Sequence, residues 1–450
     1  MPARQKTSRS RPPPAGLAAR ELVVRLVSGV LIDKRPLERV LAEAFAAPRF
    51  SGLEPRDRAL ARAVAATALR RQGELEQVLG AFLERPLPRD QGRLWPILLA
   101  GAAQLVCLDM PPHAVVDLAV ETTRRDRGAH RFAKLVNAVL RRVAERGREM
   151  LAAQDRVRLN IPDWLWQSWS AAYGPDTARR IAEASLREAP LDISVKSDAA
   201  GWAERLGGVV LPTGSIRLAP HGRIEDLAGY AEGAWWVQDA AAALVARIAG
   251  DVANRSVADL CAAPGGKTAA LAAAGAHVTA VDISAARLDR LRQNLERLSL
   301  AAAVVEADAA SWSPGRTFDV VMLDAPCTAT GTIRRHPDIL RLKGPMDVAR
   351  MAELQASMLA HAASLVGPGG LLVYSTCSLQ PEEGEHRVEA FLAAHARFQR
   401  LPVDTAEIGG EPAWIGANGD LRTLPFYLAQ EPAELSGIDG FYVARLRRGP

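Results

Sequence analysis

The sequence predicts a multidomain chain: an all-α first domain, a small α+β link, and a Rossmann-like α/β domain whose mostly parallel sheet closes on an antiparallel last strand. Three observations carry this. The chain has 450 residues, more than one hydrophobic core usually organises. Apolar residues recur at helical spacing from residue 18 to about 146, with no strand-like alternation between them. From about Trp235 onward, strand-like runs alternate with helical ones, the order that βαβ units of a parallel sheet require.

Residues 1–16, MPARQKTSRSRPPPAG, are basic and proline-rich but lack the apolar segment and cleavage site of a secretory signal, and read as a disordered arm. The all-α domain is expected over 17–147. Leu22, Leu26 and Val30, then Leu37, Val40, Leu41 and Ala44, mark apolar stripes. Lys34-Arg35-Pro36, Arg85-Pro86, Trp95-Pro96 and Pro111-Pro112 mark breaks between helices. Residues 148–234 form the link: Pro162-Asp163-Trp164 opens a helix, and LDISVKS and SIRLAP read as short strands. The α/β domain takes 235–450, with strand-like runs at 257–260, 278–282, 304–308, 320–324 and 371–377, and a last one at 441–446. Trp235 and Trp236 read as packing residues and Cys107 as core.

Residues 1–150 hold 27 Lys and Arg against 16 Asp and Glu, a net +11, which leaves −6 for the remainder of a chain whose total is +5. A basic first third fits an anchor for a polyanion, and fits equally an arginine-rich solvated helical surface. The longest apolar run, 94–108, falls short of the roughly 18 residues of a membrane span and is broken by Pro96 and Gln104, so a soluble chain with no membrane partner is expected. The four cysteines, Cys107, Cys261, Cys327 and Cys377, show no C-x-x-C spacing. Free thiols, a reducing cytoplasmic compartment and no metal site are the expectation.

After the first strand of the α/β domain the chain reads Asp259-Leu-Cys-Ala-Ala-Pro-Gly-Gly-Lys-Thr268, small residues suited to a tight strand-to-helix turn that a ligand can approach. Asp282, Asp308 and Asp324 end the next three runs, so all four acids line the carboxyl edge, where open α/β sheets bind ligands. An acid after the second strand can accept from both ribose hydroxyls and one after the third from an adenine amine, an adenosine-shaped set that favours a methyl donor. The competing reading is a P-loop, because Gly266-Lys267-Thr268 ends like a phosphate loop. Cys261 stands where that loop needs its first glycine, and the fingerprint of a dinucleotide dehydrogenase is missing.

Cys327, in Asp324-Ala-Pro-Cys, and Cys377, in Ser-Thr-Cys, emerge at the same edge. Cytosine C5 is too poor a nucleophile to take a methyl group unaided, and a thiolate adding at C6 makes it enamine-like. An acid near N3, here Asp324, would stabilise the adduct. Chemistry alone leaves open which thiol attacks.

CAAPGGKT, VDIS, DAPCTATGTIRRHPD and YSTCSLQPEEGE resemble the RNA cytosine-5 methyltransferases, specifically the Sun/Fmu branch acting on bacterial 16S rRNA. The resemblance spans essentially the whole chain. It implies a helical domain similar to the antitermination factor NusB, a small linking domain and a class I methyltransferase domain using S-adenosylmethionine. It implies that Cys261, Ala262, Ala263, Pro264, Gly265, Gly266 and Lys267 lie against the methionine part, Asp282 on the ribose, Asp308 near adenine and Asp324 at cofactor and base. Cys377 becomes the nucleophile and Cys327 the residue aiding product release. The substrate implied is 16S rRNA, free or in an assembling small subunit, and the chain is expected to be a monomer. Arg334, Arg335 and His336, just beyond Cys327, are candidates to grip phosphates around the target base, the alternative being a loop held by local ion pairs. A catalytically silent RNA-binding protein is the competing function, and the intact cysteine pair argues against it.

Overall fold

The computed structural model describes residues 14–88, 90–219 and 222–450, so the expected arm falls outside the described residues up to position 13. The chain divides into two compact units, Met1–Pro162 with His336–Leu342, and Asp163–Arg335 with Lys343–Pro450.

The first unit is all helical, as its periodicity requires. Leu22, Leu26 and Val30 of the helix Leu17–Leu31 are buried with Val40 and Leu41 of Leu37–Ala46 and with Val136, Val139 and Leu140 of Ala133–Ala152. Gly101 lets the helix Leu94–Val106 come so close to Leu140 that a Cβ there would lie 2.6 Å from its Cδ1. Trp95-Pro96 is not a break: both residues sit in the first turn of Leu94–Val106, where a missing N–H leaves no helical bond unmade. The expected boundary at 147 falls inside Ala133–Ala152, which continues because 148–152 break no helical rule. The segment His336–Leu342 also belongs to this unit, and Asp338 Oδ2 accepts from the Leu37 N–H at 3.0 Å, satisfying a free donor in the first turn of Leu37–Ala46.

The second unit carries two sheets. The smaller comprises β1 (Leu191–Val195), β2 (Val209–Val210), β3 (Ile216–Leu218) and β4 (Trp235–Val237), antiparallel in the order β2-β3-β1-β4. The expected boundary at 235 thus gives way: β4 belongs to the link's sheet because Trp235, fully buried, packs with Ile193, Ile216 and Leu218.

The larger sheet holds β5 (Ser256–Leu260), β6 (His277–Asp282), β7 (Ala303–Glu306), β8 (Phe318–Asp324), β9 (Val366–Thr376), β10 (Phe398–Arg400), β11 (Leu421–Arg422) and β12 (Tyr442–Arg448). Its order is β10-β12-β9-β8-β5-β6-β7, with β11 also on β12. β5 to β9 run parallel and β12 is antiparallel to β9, as expected. Both faces are covered, which is why β8 reads as a continuous apolar run. Val320 and Met322 pack with Leu244 and Val245 of the helix Ala240–Ile248. Val321 and Leu323 pack with Met358 and Leu359 of Pro345–Leu365.

Two strands end differently from expectation. β7 stops at Glu306, because Asp308 Oδ1 accepts from the Ala310 N–H at 2.9 Å and turns the chain. β9 begins at Val366 and stops at Thr376, one residue before Cys377. Residues 307–317 join β7 to β8 through turns, without the intervening helix that strict alternation implied. No helix among the described residues is long and apolar enough to cross a membrane.

Candidate active site

The carboxyl ends of β5, β6 and β8 lie side by side. Beyond β5 the chain turns sharply at Cys261, whose φ of 62° is left-handed, and again at Gly265, φ 102°, before the helix Gly266–Ala273. Ala262 and Ala263 pack on Leu288 and Leu291, and a Cβ on Gly265 would lie 2.9 Å from Leu291 Cγ. Small residues are therefore what the turn tolerates.

Asp282, the last residue of β6, is 2% exposed. Its Oδ2 accepts from the Ala263 N–H at 3.2 Å and lies 3.4 Å from the Arg287 guanidinium, while Oδ1 accepts from the Ser284 N–H at 3.0 Å. The β6 acid thus braces the β5 turn. Asp308 is exposed. Asp259 is fully buried; Oδ2 accepts from the Thr268 hydroxyl at 2.6 Å, and Oδ1 has no partner. Burial raises the Asp259 carboxyl to about 7. Burial, reinforced by Asp324 and Asp282, pushes the Cys261 thiol up to about 12, which makes it a packing residue and not a nucleophile. This donor set fits an adenosyl ligand bearing an ammonium: buried acceptors at adjacent strand ends, one of them unpartnered, beside a turn with no bulky side chain.

Asp324 ends β8 and accepts from Lys267 Nζ at 2.7 Å and from the Ser375 hydroxyl at 2.9 Å. Burial pulls the Lys267 ammonium down, but the charge and hydrogen bond of Asp324 outweigh it, and the net shift is upward. The lysine stays a cation. Past these residues, Cys327 and Cys377 meet: their sulfurs lie 3.4 Å apart and both thiols are free. The hydrogen bond to Cys377 and then burial hold the Cys327 thiol well above its ordinary range.

The two cysteine loops are stitched together. The Gly331 N–H donates to the Cys377 carbonyl at 3.0 Å, and the Gly440 N–H to the Gly331 carbonyl at 2.9 Å. A Cβ on Gly331 would lie 1.9 Å from the Gly440 oxygen, so only glycine allows this approach.

The structure corrects the reading of Arg334 and Arg335 as phosphate contacts. Arg334 is 1% exposed and donates to the Ser436 carbonyl at 2.7 Å. Arg335 donates to Asp239 at 2.5 Å and to Asp439 at 3.1 Å, both acids being buried. Desolvated carboxylates at these positions demand a cation, and the loop is held by ion pairs. His336 is half-buried and falls in the other unit, with Asp338 and Ile339.

Sequence reasoning missed the polar framework around the thiols: Thr328, Ser375, Ser378, Gln355 and Glu383, all buried or nearly so. The available signal was the density of hydroxyl residues beside the two cysteines with an acid following. Among the described residues, no group of three or more His, Cys, Asp or Glu could hold a metal ion.

Residues 250–447 match the family of 16S rRNA methyltransferases RsmB/F, and residues 17–145 match the NusB family. The chain is 37% identical to the ribosomal RNA small subunit methyltransferase B of Vibrio cholerae serotype O1, over 88% of this chain and 91% of that one. It is 35% identical to the Xylella fastidiosa (Temecula1) protein of the same name, over 96% and 98% respectively. Among solved structures, the crystal structure of PH0851 shares the fold, with a TM-score of 0.75 over 97% of this chain and 99% of that one at 22% identity. With its small-residue turn after β5, strand-end acids and paired thiols, the chain belongs to the RsmB/F family and is an S-adenosylmethionine-dependent rRNA methyltransferase.

Proposed function

We propose that this chain methylates C5 of a cytosine in 16S rRNA through a covalent adduct between Cys377 and C6 of the base. The observation that carries the reading is the meeting of two free thiols, 3.4 Å apart, beside Asp324 and its Lys267 partner at the cofactor edge. The small-subunit RNA is supported by the names of the relatives.

In this reading the turn from Cys261 to Lys267 faces the methionine part of the cofactor, Asp282 the ribose and Asp308 the adenine. S-adenosylmethionine supplies the methyl group when bound. Cys377 Sγ bonds to C6, the C5–C6 electron pair moves to C5, and C5 takes the methyl group. N3 takes the proton that leaves the Cys377 thiol, and Asp324, oriented by Lys267 and Ser375, accepts a hydrogen bond from that N3–H. Loss of the N3 and C5 protons to water then re-forms the double bond and expels the Cys377 thiolate, and Cys327, held beside it as a thiol, serves that release. The helical unit, in the segment with net +11, contributes RNA affinity.

The two thiols can be told apart. Cys377→Ala should abolish both methylation and covalent RNA attachment, whereas Cys327→Ala should accumulate a protein–RNA complex that survives a denaturing gel when labelled RNA and cofactor are supplied. Accumulation with Cys377→Ala instead would reverse the roles. Turnover in both variants would exclude covalent catalysis by these cysteines.

A further inference from the structure

Glu383 lies in the short turn Pro381–Glu383 after Cys377 and is fully buried. Its carboxylate is a junction. Oε1 accepts from the Thr328 N–H at 2.9 Å and from Gln355 Nε2 at 3.1 Å. Oε2 accepts from the Ser378 hydroxyl at 2.5 Å and from the Thr328 hydroxyl at closer range. Thr328 follows Cys327 directly and Ser378 follows Cys377 directly. Gln355 extends the junction to the other side of Cys327, donating to the Pro326 carbonyl at 2.8 Å. The Glu383 carbonyl meanwhile accepts from the Tyr374 hydroxyl at 2.8 Å, anchoring the turn to β9.

We propose that Glu383 is a positioning residue: its buried carboxylate clamps the two cysteine-bearing loops together, so that Cys327 and Cys377 reach one and the same base. A carboxylate suits the task because it is acceptor-only, with lone pairs enough for four converging donors. Desolvating it is costly, and burial pushes its carboxyl up; the Thr328, Ser378 and Gln355 bonds offset that cost. Glu383 touches neither cofactor nor base in this role. Its effect passes through the spacing of the sulfurs, and release of the product, which needs both thiols at one adduct, is the step it serves.

The inference rests on the thiol chemistry proposed above, so its test includes a readout that needs no RNA. In the full chain, the fraction of Cys327–Cys377 disulfide at equilibrium in glutathione buffers reports how well the loops hold the sulfurs together. Glu383→Ala should lower that effective concentration about tenfold and reduce kcat for methylation of small-subunit RNA by about tenfold or more. KM for RNA and cofactor affinity by calorimetry should stay within about twofold, since binding surfaces are untouched. Glu383→Gln keeps the volume and an amide oxygen for the Thr328 N–H, and should recover part of both losses; it also serves if the alanine variant fails to fold. An unchanged disulfide equilibrium in both variants overturns the clamp, whatever happens to methylation. A lowered equilibrium with full methylation overturns the thiol chemistry on which the role depends.

Discussion

Two clusters of acids in the second unit use the same residue types and partner them differently. Around Arg335, every carboxylate has its cation: Asp239 and Asp439 face Arg335, and Asp192 is bound twice by Arg217 at 2.7 and 2.8 Å. At the carboxyl edge the partners are different. Asp259 is held by the Thr268 hydroxyl, Asp282 chiefly by backbone N–H groups, and Asp308 stands exposed. Carboxylates bound by arginine hold loops in place, whereas acids held by hydroxyl and amide groups at a sheet edge are available to a ligand. The difference separates the buried arginines, whose bonds are spent within the loop, from the aspartates, which remain candidates for binding.

The comparison breaks most readily at Arg335. Arg335→Ala strands two buried carboxylates and should cost about 3–5 kcal/mol of stability in a urea titration. A loss of RNA affinity with stability intact would return Arg335 to the substrate interface.

Asp282 gives the next effect. Asp282→Ala should weaken S-adenosylmethionine binding by roughly tenfold to a hundredfold, about 1.5–3 kcal/mol, as measured by calorimetry. Binding as tight as the parent's would show that this acid braces the Ala263 turn and nothing more.

A third effect sharpens the contrast through pH. The Asp259 carboxyl is raised to about 7 in the folded chain, above the unfolded value of about 3.9. Between those values the folded chain holds a proton that the unfolded chain has lost. The stability from this group is therefore full below about pH 4 and is lost as pH rises towards about 7, with a slope of at most about 1.4 kcal/mol per pH unit. Asp259→Asn should flatten the stability curve in that window. Curves that stay parallel would mean that Asp259 is ionised when folded.

Much of the architecture was legible because it follows from local periodicity. Leu22, Leu26 and Val30 share a helical face whatever surrounds them, and the apolar run of β8 announces a strand covered on both faces. The tight turn after β5 was legible for the same reason, since small residues between a strand and a helix leave few other geometries. Boundaries were less so: β4 joined the link's sheet and 336–342 the helical unit because burial of Trp235 and the Asp338–Leu37 bond are long-range events.

The sequence by itself determined which chemistry the chain could attempt: acids at or beside the ends of four parallel strands, a turn of small residues and two cysteines following parallel strands. Only the tertiary structure decided that the two sulfurs stand 3.4 Å apart, that Lys267 answers Asp324, that Glu383 ties both cysteine loops, and that Arg335 spends its charge on Asp239 and Asp439. The reason is physical. Periodicity and turn chemistry act over a few residues, whereas the partner of a buried charge is settled by which distant segments desolvate it, here 28 to 104 positions along the chain.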